Sequence, residues 1–387
     1  MKTKSSKAVS SRRTLNTFVT NLVDRFAFDT YGIDAKSQAL FRIFYASLFL
    51  VIGGLPSWVW IGDKPSVLFQ PPPISLTNFV ASSFPPAGFF ISLEIIVCLL
   101  YVALLFGFYT RITSVLLAVF LTIGFSFEFS FGKIGHFAML MILVPLMMSF
   151  SNWGTLWSID ARYRHAQPNP NRAAWPIAFM VLCFGFAMFS ASVPKIIAGW
   201  LDPATQAVRG YMLRFYYVQG SRELLLPYLV DFTSKGVWEA MDWMGVGLEL
   251  TFLLAILRRQ LFRFYLLVTI SFHIANLLIF NINDFYLNTY FYALFFNYTL
   301  ITERMSPLAS QRLGSFFNYV NLALVAGAAV VWYRFFTLSP FFTALEALSL
   351  NFDEATLVLL FAMLALALTD AVLSLRQRQP TPAVGAL

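Results

Sequence analysis

A chain of 387 residues that is 58% hydrophobic and only 12% charged is too apolar for a soluble domain, where those shares run at about 45–50% and 25%. The net charge of +8 is spread over short loops and termini and forms no continuous patch, so topology explains it and no nucleic-acid partner is expected. Two cysteines, Cys98 and Cys183, both inside apolar runs, exclude a disulfide scaffold and a cysteine-based metal site.

The first 38 residues form a basic tail followed by Leu15, Phe18, Val19, Leu22, Val23 and Phe26 at helical spacing beside Asp24 and Arg25. That pattern fits either an amphipathic helix lying on the inner leaflet or a soluble cap helix. The first long apolar run starts near residue 39, and no small-residue cleavage site follows a short hydrophobic core, so a retained first span is expected rather than a cleaved leader.

From there the chain reads as an all-α, polytopic transmembrane helical bundle of about ten spans. They fall at 39–61, 88–109, 113–131, 135–150, 174–198, 236–257, 261–281, 285–302, 316–337 and 356–375. With the N-terminus inside, the cytoplasmic segments hold 18 Lys and Arg and the outer loops hold six, Lys64, Lys133, Arg209, Arg214, Arg222 and Lys235. This bias predicts an even number of spans with both termini cytoplasmic, in a plasma or inner membrane. The outer loop 62–87 carries "QPPPISL" and "SFPPAG", whose prolines impose a turn-rich path. The other long outer stretch, 199–235, is too aromatic for a solvated linker and is expected to form a lid or re-entrant helix. Residues 376–387 read as a disordered tail.

Ionisable groups inside a bundle are costly and few. Here they are Glu94, Glu128, His136, Lys195, Glu249 and His273, with Asn276, Asn281 and Asp370 beside them. Lys195 follows Pro194 near the outer end of its span, where snorkelling to water is one reading. The other is a base: Pro194 leaves the Ser190 carbonyl without its helical donor, with Ser190 and Ser192 placed to satisfy the freed groups, and a lysine in a dry pocket has its pKa lowered by desolvation. His136 opens its span, where an interfacial histidine often serves as a hydrogen-bonding anchor. His273 lies about 13 Å beneath the outer edge and must face protein or a cavity. No HExxH, ligand-spaced carboxylates, glycine-rich phosphate loop or G-x-S-x-G elbow occurs, and no metal is expected.

Three stretches, "GHFAMLMILVPLMMSFSNWGTLWSID" (135–160), "FSASVPKIIAGWLDPATQAVRGYM" (189–212) and "FHIANLLIFNINDFYLNTYFYALFF" (272–296), together resemble the HTTM membrane domain shared by vitamin K-dependent gamma-glutamyl carboxylases and many bacterial proteins. The likeness spans roughly residues 30 to 305. In the eukaryotic carboxylase this domain oxidises vitamin K hydroquinone to its epoxide with O2, and the base so generated removes a proton from glutamate before CO2 adds. The resemblance implies that Lys195 stands where the family lysine deprotonates the hydroquinone. It implies that His136 matches the histidine opening the fourth-span motif and His273 that of the later "FH" motif. This chain departs in having Gly135 where the carboxylase has asparagine, and Pro194-Lys195 where it has paired lysines. The sequence given also has no counterpart of the large lumenal domain, so a propeptide-bearing substrate is not implied.

Two function classes follow. One is a quinol-dependent oxygenase or carboxylase-like enzyme that uses a reduced quinone, O2 and CO2, with Lys195 as base, His136 as its hydrogen-bonding partner at about 3 to 6 Å, directly or through one water, and His273 steering quinone or oxygen. The other is a non-catalytic membrane factor for maturation or export of a secreted peptide. A transporter of a small apolar anion ranks third, because charges are scarce and no broken-helix pair is visible.

Overall fold

The computed structural model describes residues 20–376, apart from 22, 54, 133, 135, 170–174, 223, 283–291, 293, 294, 297, 337 and 338. All regular structure among the described residues is helical, as lipid requires of a backbone that cannot bond to water. Eleven helices carry the argument: α1 (Ala35–Ser47), α2 (Ala87–Phe106), α3 (Thr110–Phe129), α4 (His136–Met148), α5 (Trp175–Ile197), α6 (Ala207–Leu213), α7 (Lys235–Ala255), α8 (Arg259–Phe280), α9 (Pro307–Phe316), α10 (Tyr319–Phe335) and α11 (Phe352–Arg376). The expected tail 376–387 and the N-terminal stretch before residue 20 lie outside the described residues, Arg376 excepted.

Among the described residues six helices are long and apolar enough to cross a bilayer, or seven if α9 and α10, bent by 63°, are one broken span. That is fewer than the ten expected, for three reasons. The fourth expected span is α4, 13 residues interrupted by Pro145, which at 1.5 Å per residue reaches only about 20 Å. The sixth is α7, whose 21 residues are long enough and lie along α5, but whose Lys235, Glu239, Asp242 and Glu249 keep it out of a count made on length and composition alone. The eighth, 285–302, falls largely outside the described residues. The first expected span, 39–61, stays helical only to Gly53, where α1 continues as a π-helical turn. Gly53-Gly54-Leu55-Pro56 follows, and proline cannot continue a helix.

Polar side chains hold the turns. Asp34 caps α1 by accepting from the Ser37 N–H at 2.8 Å. α2 ends on Gly107 in the left-handed region (φ +60), where a Cβ would stand 2.1 Å from the Arg42 guanidinium. Tyr109, at the N-cap of α3, makes no side-chain cap; Asp160 supplies it, its carboxylate accepting from the N–H groups of Tyr109 (2.9 Å) and Thr110 (2.7 Å). The turn at 57–59 hangs on α2: Glu94 accepts from the backbone N–H groups of Trp58 and Val59. Glu128 on α3 accepts from the Trp58 indole at 3.0 Å.

The main core runs through α1, α2, α3 and α8 with Tyr45, Phe49, Tyr101 and Trp153 among its buried rings. α5 lies along α7, α8 along α11, and α10 along α2. A second, smaller core of Val208, Met212, Leu226, Trp238 and Phe280 joins the 199–235 stretch to the start of α7 and the end of α8. This stretch folds as α6, a π-helical turn (Arg214–Val218) and a short helix (Leu226–Leu229). Its position follows from its sequence, which is too apolar to stay in water and too interrupted by Pro203, Gly220 and Pro227 to form a span.

Candidate functional site under the 199–235 segment

The site starts with the last turn of α5. Pro194 sits inside the helix, and Lys195 follows it two residues before the end. The hydroxyls of Ser190 and Ser192 donate to the carbonyls of Ala187 (2.9 Å) and Phe189 (2.7 Å). They therefore serve the turn before Pro194 and not the Ser190 carbonyl that the proline leaves free. Chain direction then reverses through the 199–235 segment. α7 begins well beyond the end of α5, so its fourteenth residue after Lys235, Glu249, comes level with Lys195.

There the Lys195 Nζ donates to Glu249 Oε1 at 2.5 Å, with side-chain exposures of 25% for the lysine and 7% for the glutamate. Glu249 Oε2 is buried and has no hydrogen-bond partner. The Trp200 ring lies 5.1 Å from the Lys195 ammonium, and the Trp200 N–H donates to the Lys195 carbonyl at 3.1 Å. Lys195 is thus held between a carboxylate and an aromatic face while remaining partly exposed. Held at this distance in a medium drier than water, the ammonium and carboxylate attract strongly, and each compensates the other's lost hydration.

Two turns closer to the start of α7 stands Asp242, with no solvent exposure. Its two carboxylate oxygens accept from the N–H groups of Ala207 (2.9 Å) and Val208 (2.7 Å), the otherwise unpaired donors at the N-terminus of α6. One face of α7 therefore presents two acids seven residues apart. The first fixes the start of α6, and the second holds Lys195.

His273 is buried on α8, and its Nδ1 and the Tyr292 hydroxyl share a hydrogen bond. Its neighbour Phe272 lies 3.8 Å from where a Cβ on Gly245 would stand, and Gly245 precedes Glu249 by one turn of α7. This part of α8 is therefore level with α7 about one turn before Glu249, while the His273 ring itself meets Tyr292. His136 begins α4, but its side chain lies outside the described residues, as does the expected pairing with Lys195.

Of the remaining sequence candidates, Glu94, Glu128, Asp370 and Asn281 have structural work. Glu94 and Glu128 hold the Trp58 turn, as described above. Asp370 pairs with Arg263 at 3.5 Å. Asn281 ends α8 in the left-handed region. Sequence reasoning missed Asp242 and Arg42. The signal for Asp242 was present: Trp238, Asp242, Gly245, Val246, Glu249 and Phe252 recur at helical spacing and all are buried. Arg42, fully buried, donates to the Trp157 carbonyl at 2.5 Å and stacks near Phe317. Nothing around it in sequence marked it. Among the described residues no group of three or more His, Cys, Asp or Glu is placed to hold a metal ion.

The HTTM domain family's sequence profile matches residues 31–300, well over half of the chain. This chain belongs to the HTTM family. No curated protein and no solved structure matches it. The HTTM match takes in α1 to α8, so Lys195, Glu249, Asp242 and His273 all lie inside the domain. The helices α9, α10 and α11 follow it.

Proposed function

We propose that this HTTM protein is a membrane-embedded enzyme whose Lys195–Glu249 pair removes a proton from a hydroquinone-class substrate, in the manner of a quinol-dependent oxygenase or carboxylase. The observation that carries the reading is the ion pair between α5 and α7, with its second carboxylate oxygen left without a partner. A lysine serves as a base only when another group takes its proton. Glu249 Oε1, at 2.5 Å, is the group in place to do so. The free Oε2 fits a quinol as well, because a buried oxygen with no donor would accept a phenolic O–H.

A bound reduced quinone would supply acidic O–H groups and the electrons to reduce O2, with CO2 as the electrophile if the reaction ends in carboxylation. The protein's part is to move a proton from Nζ to Oε1, freeing the Nζ lone pair to take one from the substrate. Trp200 packs against the lysine, and Asp242 holds the start of α6, which would keep the segment that carries Trp200 in place beside the pair. His273, which shares a hydrogen bond with Tyr292, would steer the quinone or O2. His136 would bond to Lys195 from α4. The Lys and Arg bias of the loops supports cytoplasmic termini, which would put the ion pair on the outer side of a plasma or inner membrane.

A second reading, a non-catalytic factor that binds a secreted peptide during its maturation or export, is favoured by the exposure of Tyr217 (66%), Val218 (77%) and Tyr228 (80%) on the covering segment.

Lys195→Arg tests the first reading. Arginine keeps the charge and can still pair with Glu249, but it cannot give up its proton near neutral pH. The expected result is loss of quinol oxidation in membranes, with normal expression and a monodisperse elution profile. Quinol turnover at the native rate by well-folded Lys195→Arg protein would remove the base. Absence of quinol turnover in the native protein, together with capture of a secreted peptide by the exposed aromatic segment, would favour the second reading.

A further inference from the structure

A groove of about 1010 Å³ opens at the other end of α5, some twenty residues from Lys195, a distance of about 30 Å along the helix. Its three walls are the π-helical turn Arg25–Thr30, the first turns of α5, and the turn between α7 and α8. The floor is apolar, with Trp175, Phe179 and Leu182 from α5, and the last two are 41% and 42% exposed. The rim is basic: Arg25, Arg258 and Arg259 line it against a single acid, Asp29. Arg259 also donates to the Gly32 carbonyl at 3.4 Å, which sets one guanidinium in place. The Tyr31 hydroxyl donates to the Ile256 carbonyl at 2.5 Å and so ties the N-terminal turn to the α7–α8 connection. Burial pushes this phenol above its usual range, so it stays a neutral donor at physiological pH.

Trp175 opens α5 and Arg259 opens α8. Both helices are apolar enough to cross a bilayer, which sets the groove where hydrocarbon gives way to headgroups. An apolar floor under an excess of two positive charges complements a molecule with an acyl chain below and a phosphate above. We propose that this groove is a binding site for an anionic glycerophospholipid, its phosphate between Arg25 and Arg258 and one acyl chain along Phe179 and Leu182. The lipid would then act as a wedge that fixes the N-terminal turn against the α7–α8 connection. The inference is independent of the Lys195 site.

The test is native mass spectrometry of the full chain released from detergent micelles doped with equal amounts of phosphatidylglycerol and phosphatidylcholine. The expected result is selective retention of phosphatidylglycerol, reduced roughly ten- to thirty-fold in the Arg25→Gln/Arg258→Gln double variant. Asp29→Asn removes the opposing charge and should raise that retention. This second variant keeps the test informative if the double variant is poorly folded. Equal retention of the two lipids by the native chain, or phosphatidylglycerol retention unchanged by either variant, would overturn the assignment.

Discussion

Asp242 gives the most direct test of how this bundle holds its covering segment. Its carboxylate takes the N–H groups of Ala207 and Val208 at 2.9 and 2.7 Å with no exposure to solvent. Hydrogen bonds to a charged group contribute about 1.5–3 kcal/mol each, so Asp242→Ala should remove roughly 3–6 kcal/mol from the closure of the segment. At 1.4 kcal/mol per factor of ten, the lower figure corresponds to opening about a hundred times more often. Asp242→Asn keeps one acceptor but turns an amide N–H₂ towards the second backbone donor, and should fall between the native protein and Asp242→Ala. Hydrogen–deuterium exchange of detergent-solubilised protein reads this directly, because amide exchange in 207–218 follows local opening. Exchange in α2 and α3 should stay at native rates, since neither helix contacts the second core. Native protection of 207–218 in Asp242→Ala would refute the argument and mean that the Val208, Met212, Leu226, Trp238 and Phe280 core closes the segment without the acid.

Two further predictions concern the packing and the orientation. Gly107→Ala would force a left-handed residue to carry a Cβ 2.1 Å from Arg42 Nη1 and 2.4 Å from the Ser158 Cβ, costing about 2–5 kcal/mol from backbone strain and overpacking together. Thermal unfolding in detergent should show a clear loss of stability, and a native melting curve would contradict the contact. A reporter fused after Leu387 should be labelled from the cytoplasmic side, as the Lys and Arg bias requires; labelling from outside would place the Lys195 site on the cytoplasmic face.

The membrane bundle was readable from the sequence because hydrophobic length is a local property: α2, α3, α5, α8 and α11 each stand where an apolar run of sufficient length stands. Local reading went astray where depth depended on neighbours. α4 is as apolar as its companions, yet it forms only 13 residues of helix. Lys195 and Glu249 were both conspicuous as single residues, and the sequence left Glu249 free to pair with any of several groups. Their pairing depends on where α5 stops relative to α7, which is set by the reversal through 199–235.

Composition by itself determined that the chain lies in a bilayer and that its few ionisable groups need partners, because both follow from the cost of moving residues out of water. The motifs pointed to the HTTM domain for a similar reason, since they are contiguous strings. Tertiary structure alone decided which acid meets which cation or amide. Asp242 and Glu249 are both carboxylates on one helical face, separated by only two turns. One caps a helix and the other holds a lysine, because the start of α6 meets the first and the last turn of α5 lies beside the second.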